Sequence, residues 1–336
     1  MDFAALAQRA ALSEPMAGGA VPILHGRTLY LDGDGLAYYC AGNDETLLSE
    51  ARARLRDKIE GMLLASGAGR VIILLTGSGG HKGHRYAIAR VKPYQGQRVN
   101  NRRPKNWQGL RALLEDGAFG PCRIVYDREA DDCFAEFGWA DPENTVHGTQ
   151  DKDMRMCPGY HLDWIDNRMF YLPPNTYSAV FNDKQYGMKW FWLQMLHGDT
   201  ADAIPGLPKV VINGKAKLVG EVTAGQIMAH YDDNASAARG VAHAYASYYG
   251  DRWLVEMLEQ ACLLWMRRSP DALWDDVITH GPLNCIVADW VQDADSAHFT
   301  DNAIKEIQQR VKEADDYNAL QAEGQRDSIG TGEAAS

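Results

Sequence analysis

No stretch of this 336-residue sequence approaches the roughly 20 consecutive apolar residues that a bilayer-spanning helix needs. The acid near its start, Asp2, is unlike the basic opening of a secretory signal. The expectation is a cytoplasmic protein without a membrane segment. Six cysteines fall singly, at 40, 122, 133, 157, 262 and 285, with no C-x-x-C pair. Singly spaced thiols argue against a cysteine zinc site and against a disulfide framework. Ten histidines include no H-E-x-x-H pair, which disfavours a zinc hydrolase. The Gly-rich run TGSGGHKGHRY lacks the P-loop order, because Gly83 and not Ser or Thr follows Lys82. No internal repeat is visible. One further absence is local: from Arg70 to Arg111 there is no Asp or Glu, on a chain of net charge −11.

That acid-free stretch holds ten Lys or Arg residues, with Tyr86, Tyr94 and Trp107 among them. A basic segment on an acidic protein is the electrostatic footprint of an element that binds a polyanion. The plainer reading is a solvated basic loop.

The acids are also clustered. Asp32 lies in YLDGDG; Glu129, Asp131 and Asp132 fall within four residues. Asp151 and Asp153 bracket Lys152, and Asp199 and Asp202 precede Ile204-Pro205-Gly206. Taken singly, each cluster has an ordinary explanation. An Asp-Gly pair makes turns, acids suit a helix N-terminus, and Asp caps helices. Gathered together, carboxylates force one another to take up protons unless cations neutralise them. Hard divalent ions such as Mg²⁺ and Mn²⁺ prefer oxygen ligands, so the set suggests a polynuclear metal site and phosphoryl chemistry.

Apolar runs at 28–32, 71–76, 123–126 and 145–148 read as buried strands, with a hairpin over 160–172 turning at Asp166-Asn167. Helices are expected over 45–65, 104–114, through the second acidic cluster, over 184–196, and around 254–266 and 304–314. Strands alternating with helices, followed by a helical second half, predict an α/β fold with ligands beyond the strand ends. The expected divisions are a loose arm at 1–25, a core at 26–197 with the basic segment at 77–112, a helical region at 198–323 and a disordered tail at 324–336.

On these residues the chain resembles the flap-endonuclease-like 5′-nuclease superfamily, most closely the 5′→3′ exonucleases of short-tailed phages. Asp32 matches the acid ending the first strand. EADD matches the Glu-x-Asp-Asp helix, QDKDM the Asp-x-Asp loop, and GDTADAIPG the Gly-Asp-x-x-Asp-x-Ile-Pro-Gly signature. The resemblance implies a mostly parallel central sheet flanked by helices, with a helix–three-turn–helix after the Ile-Pro-Gly step. It implies two Mg²⁺ ions, replaceable by Mn²⁺, about 4 Å apart. Asp32 and Glu129 would hold one and Asp151, Asp153, Asp199 and Asp202 the other, with Asp131 and Asp132 near or between them. The basic segment would be an arch over a 5′ strand. Arg85 and Lys92 would meet the scissile phosphate, and Tyr94, Arg98, Arg102 and Arg103 would hold the strand. Gly206, Lys209, Lys215 and Lys217 would contact duplex phosphates. The chain departs from the family where relatives carry an acid after the second strand, here Thr76-Gly77-Ser78. It departs again at Tyr94-Gln95-Gly96-Gln97-Arg98, where the family has Tyr-Lys-Gly-x-Arg.

The implied activity is 5′→3′ hydrolysis from duplex ends, nicks or flaps, with flap-endonuclease cutting as a further expectation, in phage DNA replication and primer removal. Two other readings fit the residues. One is a nuclease for RNA or RNA–DNA hybrids; the other is a structure-specific DNA-binding protein of weak catalysis, to which Thr76 points.

Overall fold

Apolar residues on both faces make the first strand, β1 (Leu24–Asp32), an interior one. Leu29 and Leu31 are buried against one helical layer and Tyr30 against the other. In β2 (Ala68–Thr76), Val71, Ile73 and Leu75 join the first layer and Leu74 the second. Strands apolar on both faces belong in a parallel sheet covered on each side. The computed structural model, which describes residues 23–100, 102–212, 214–290 and 294–330, has this sheet. Most of the expected N-terminal arm therefore lies outside the described residues.

β1 pairs in parallel with β2 and with β4 (Thr145–Gly148), and β2 with β3 (Cys122–Val125). On the other side β4 pairs with β5 (Gly159–Asp163), and an antiparallel β6 (Arg168–Leu172) closes the edge. The strand order is β3-β2-β1-β4-β5-β6. Connections run outward on both sides of β1, so the crevice between the C-terminal ends of β1 and β4 is where such a sheet collects ligands.

One face carries α1 (Gly33–Cys40), α2 (Leu48–Ser66) and, after the short α3 (Arg85–Ile88), α4 (Trp107–Glu115). In α2 the buried Ala51, Leu55, Ile59, Met62 and Leu63 form one helical stripe. The other face carries α5 (Ala130–Ala140), and the helical second half backs it in one continuous core. That half comprises α6 (Met188–His197), α7 (Glu221–Met228), α8 (Asn234–Tyr249), α9 (Trp253–Leu264), α10 (Asp276–Thr279), α11 (Asn284–Trp290) and α12 (Ala294–Gly330).

Three features differ from the sequence expectation. The helix expected over 184–196 begins only at Met188; β8 (Lys184–Tyr186) pairs antiparallel with β7 (Ala179–Phe181). Gly187, at φ 84°, separates the two conformations. Between α6 and α7 the expected helix–three-turn–helix step contains a hairpin, β9 (Lys209–Ile212) and β10 (Lys215–Leu218). Finally, α12 continues past residue 324, where a tail was expected to start. No helix among the described residues is long and apolar enough to cross a membrane. None of the six cysteines is in a disulfide.

Candidate metal centre

Four chain segments deliver acids to the C-terminal edge of the sheet. Asp32 ends β1 and caps α1, its carboxylate accepting from Gly35 N at 2.8 Å. Across the crevice, Thr149 Oγ1, just after β4, reaches Asp32 Oδ2 at 3.3 Å. Glu129 stands between β3 and α5, with Asp131 in the first turn of that helix. Asp151 turns the chain after β4 by accepting from Asp153 N at 2.8 Å. The fourth pair is set by a tight loop after α6. Asp199 and Ile204 exchange backbone hydrogen bonds of 2.8 Å, and the Asp199 carboxylate accepts from Ala201 N at 2.8 Å. That closure swings Asp202 back towards Asp199.

Oxygens of Asp153, Asp199 and Asp202 come within 4.8 Å of one another. Burial pushes the Asp153 carboxyl well up, and the charges of Asp151, Asp199 and Asp202 add to it. Asp131 is raised well above the usual range by burial and by Asp151, Asp32, Glu129 and Asp153 around it. Burial, with Asp34 adjacent, lifts Asp32 to about 6. Asp151 keeps exposed surface, yet the enclosing protein and the charges of Asp32, Asp202 and Asp199 push it to about 6 as well. Burial also raises Asp202, against the opposing pull of Arg98. This mutual crowding joins all four clusters into one electrostatic unit. An all-oxygen donor set of this density fits a hard divalent cation.

Protein cations and amides partly balance the charge. Lys152 Nζ lies 2.8 Å from Asp199, and Gln194 Nε2 donates to Asp153 at 2.5 Å. The rest comes from residues 82–98. Lys82 Nζ sits 3.1 Å from Glu129; Gln95 Nε2 donates to Glu129 at 3.1 Å and to Asp202 at 2.8 Å; Arg98 meets Asp202 at 2.5 Å. Tyr94 Oη donates to Glu129 at 2.7 Å. Gln97 Nε2 donates to the carbonyls of Thr200 and Ala201. Residues 94–98 thus lie as a strap across Glu129 and the 199–202 loop.

Several residues take places other than those expected. Asp132 does not face the other acids. It is wholly buried and receives the Arg85 guanidinium through two bonds of 2.8 Å, with Arg267 N at 3.1 Å. Burial opposes its ionisation, but Arg85 beside it holds the carboxyl down at about 2. Arg85 is itself fully buried, donating also to the Leu263 and Trp265 carbonyls and lying 3.4 Å from Glu129, so its guanidinium is held behind the acids and not exposed to a substrate. Tyr94, expected to stack on a strand, is 4% exposed and its ring is interior. Gly206 is a buried turn residue at φ 63° whose amide donates to Gln260 Oε1 at 3.1 Å, which takes it away from duplex phosphates.

Lys92 is exposed, with no ion-pair partner among the described residues. Arg102 pairs with Asp44 at 3.0 Å, and Arg103 lies over the Trp107 ring at 4.1 Å. Register puts Lys217 opposite Val210 and Lys209 opposite Leu218, so the exposed Lys215 and Lys217 share the hairpin face that Val210 packs on the core, and Lys209 takes the other. Sequence reasoning missed Lys82, Gln95, Lys152, Gln194 and Thr149. Their only signal was adjacency to the motifs, since the acids they hold are 34 to 117 residues away. Thr76 accepts from Ala130 N at 3.0 Å through its hydroxyl.

No family model matches the chain, and no curated protein matches it. Solved structures do. The T5 D15 protein co-crystallised with metal ions is 15% identical, with 84% of this chain and 99% of that one covered and a TM-score of 0.47. The bacteriophage T5 D15 flap endonuclease, in a pseudo-enzyme–product complex with DNA and metal ions, is also 15% identical, with a TM-score of 0.47 over 85% of this chain and 99% of that one.

Proposed function

We propose that the protein is a divalent-metal-dependent nuclease of the flap-endonuclease-like kind, nearest to the 5′→3′ exonucleases of short-tailed phages, acting at 5′ ends of duplex DNA. The observation that carries this is the convergence of seven acids from four segments on the C-terminal sheet edge, with Asp153, Asp199 and Asp202 within 4.8 Å of one another. Mg²⁺ is the ion proposed, with Mn²⁺ as a substitute. Asp153, Asp199 and Asp202 would hold one ion, and Asp32, Glu129, Asp131 and Asp151 the other. Bound there, the ions would supply an activated water and stabilise charge on the scissile phosphate.

The chain's own residues do the remainder. Asp151 and Asp153 share a turn, which fixes their spacing. Gln194, fully buried, orients Asp153 from behind. Lys82, anchored on Glu129, is the protein cation nearest that group and takes the role first expected of Arg85 or Lys92. Lys215 and Lys217 on the exposed hairpin, with Arg102 and Arg103, offer phosphate contacts that position a duplex without reading bases.

The test is release of nucleotides from 5′-labelled duplex, nicked and flapped DNA, with an RNA–DNA hybrid alongside. Asp153→Ala and Asp202→Ala should each abolish Mg²⁺-dependent release while DNA binding persists, and EDTA should silence the wild type. Cleavage surviving both EDTA and the substitutions would sink the proposal. A second reading, a DNA-binding protein of weak catalysis, is favoured by one observation: Thr76 is spent on the α5 backbone where an acid would add a ligand. Release above the Asp153→Ala background excludes it.

A further inference from the structure

The Gly-rich run 76–86, which is not a P-loop, builds something else. With the residues after β3 and with α12 it lines a cavity of about 820 Å³ beside the acidic centre. Tyr126 and Tyr86 open onto it, 58% and 50% exposed, and His81 and His84 stack on each other at 4.2 Å. The glycines are what let the Tyr126 ring lie where it does. A Cβ on Gly77 would come within 2.3 Å of that ring, and one on Gly80 within 2.1 Å of the Tyr126 carbonyl. The loop passes directly beneath the tyrosine because two of its residues have no side chain.

We infer that this cavity holds one unpaired nucleobase of a nucleic-acid strand whose backbone runs to the acidic centre, an inference that rests on the nuclease reading. Every base has a π-face, and exposed aromatic side chains are its usual platform. The lining supports a base over a phosphate, since none of the described lining residues is Lys or Arg. Burial and the neighbouring His84 hold His81 below the ordinary histidine range, so it is neutral near pH 7, and His84 is engaged with Asp315 at 2.8 Å. Ser78, Asp127 and Asn318 supply donors and acceptors for base edges. The cavity and the acids share a wall. Tyr86 meets Tyr94 edge-on at 5.8 Å, and Tyr94 donates to Glu129. Lys82 Nζ lies 5.9 Å from the Tyr86 ring and 3.1 Å from Glu129. A base on Tyr126 or Tyr86 therefore belongs to a nucleotide close to the phosphate under attack.

The test is an abasic scan. Binding of a DNA duplex with a 5′ single-stranded extension is measured with Ca²⁺ in place of Mg²⁺, an abasic site being moved through the first few unpaired positions. At one position the missing base should weaken wild-type binding about tenfold. Tyr126→Ala should bind the intact and abasic strands equally, and Tyr126→Phe should restore the difference. A scan with no penalty at any position, or the same penalty in Tyr126→Ala as in the wild type, overturns the inference. Should Tyr126→Ala melt early, Tyr86→Ala is read by the same criterion. Equal competition by a free deoxynucleoside monophosphate would assign the cavity to a soluble nucleotide and overturn the strand assignment. Mg²⁺-dependent cleavage of blunt, nicked and flapped duplexes, followed in parallel, separates the two ideas. Its absence in the wild type fails the nuclease reading, whereas intact cleavage with a flat scan fails the cavity alone.

Discussion

Arg85, on α3, ties α5 to the end of α9 and the residue after it, because one guanidinium satisfies Asp132 and two carbonyls of the second half. Both partners are fully buried, so removing one strands the other as an unpaired charge. Such losses cost about 3–5 kcal/mol. Arg85→Ala should therefore lower unfolding stability by about that much in a denaturant titration, whatever it does to activity. A loss below about 1 kcal/mol would show that the pair is dispensable to the fold. The residue type alone did not reveal this, because an arginine in a basic run has the same letter whether it faces a phosphate or a core. Asp132 is the same case: its neighbour Asp131, one helical step round, is the one that faces the acids.

At the scale of elements, the basic segment is the part whose form differs most from expectation. It packs down as a strap, with Gln95, Arg98 and Tyr94 on the same carboxylates that the proposed metal ions would use. Protein donors and a divalent ion compete for those oxygens. Arg98→Ala should strengthen Mn²⁺ binding, measured calorimetrically without DNA, by up to about fivefold for a half-exposed pair. Unchanged or weaker binding would show that the strap supports the ligands and does not compete for them. The 199–204 loop is the opposite case. Its Gly-Asp-x-x-Asp-x-Ile-Pro-Gly pattern was legible because the turn is local, closed by bonds between residues at most five apart. The hairpin that follows was not legible as a hairpin. β9 and β10 have only four residues each, and none of the described positions on β10 is buried.

For the whole molecule, the acidic centre sets how stability depends on pH. Asp32 and Asp151 ionise near 6 in the folded chain, against an ordinary value near 4. The folded state thus holds protons through a window where the unfolded chain has released them. Their repulsion is fully present above about pH 6 and is relieved as pH falls towards 4. Asp132 works in the other direction, but its folded value near 2 keeps its contribution intact until below about pH 4. The buried His147, pushed down to about 4, and His161, held well below the ordinary histidine range by burial, oppose this as pH falls below about 6.5. In EDTA, Asp32→Asn should therefore raise the melting temperature more at about pH 7.5 than at about pH 5.5, the histidines being common to both chains. Saturating Mg²⁺ should raise the wild-type melting temperature at the higher pH. A gain from Asp32→Asn that is equal or larger at the lower pH would contradict the crowding described here.

The sequence by itself determined the sheet's inner strands, the α2 stripe and the order of the acidic clusters. These depend on short-range periodicity and on residues within a few positions of one another. Only the tertiary structure decided which acids meet. Asp132 went to Arg85, Tyr94 turned inward, Gly206 was buried against Gln260, and Lys82 reached Glu129 from a loop with no recognised motif. The physical reason is that a carboxylate's partner is set by which strand ends lie side by side. In this sheet β1 sits between β2 and β4, an order that no local pattern of residues encodes.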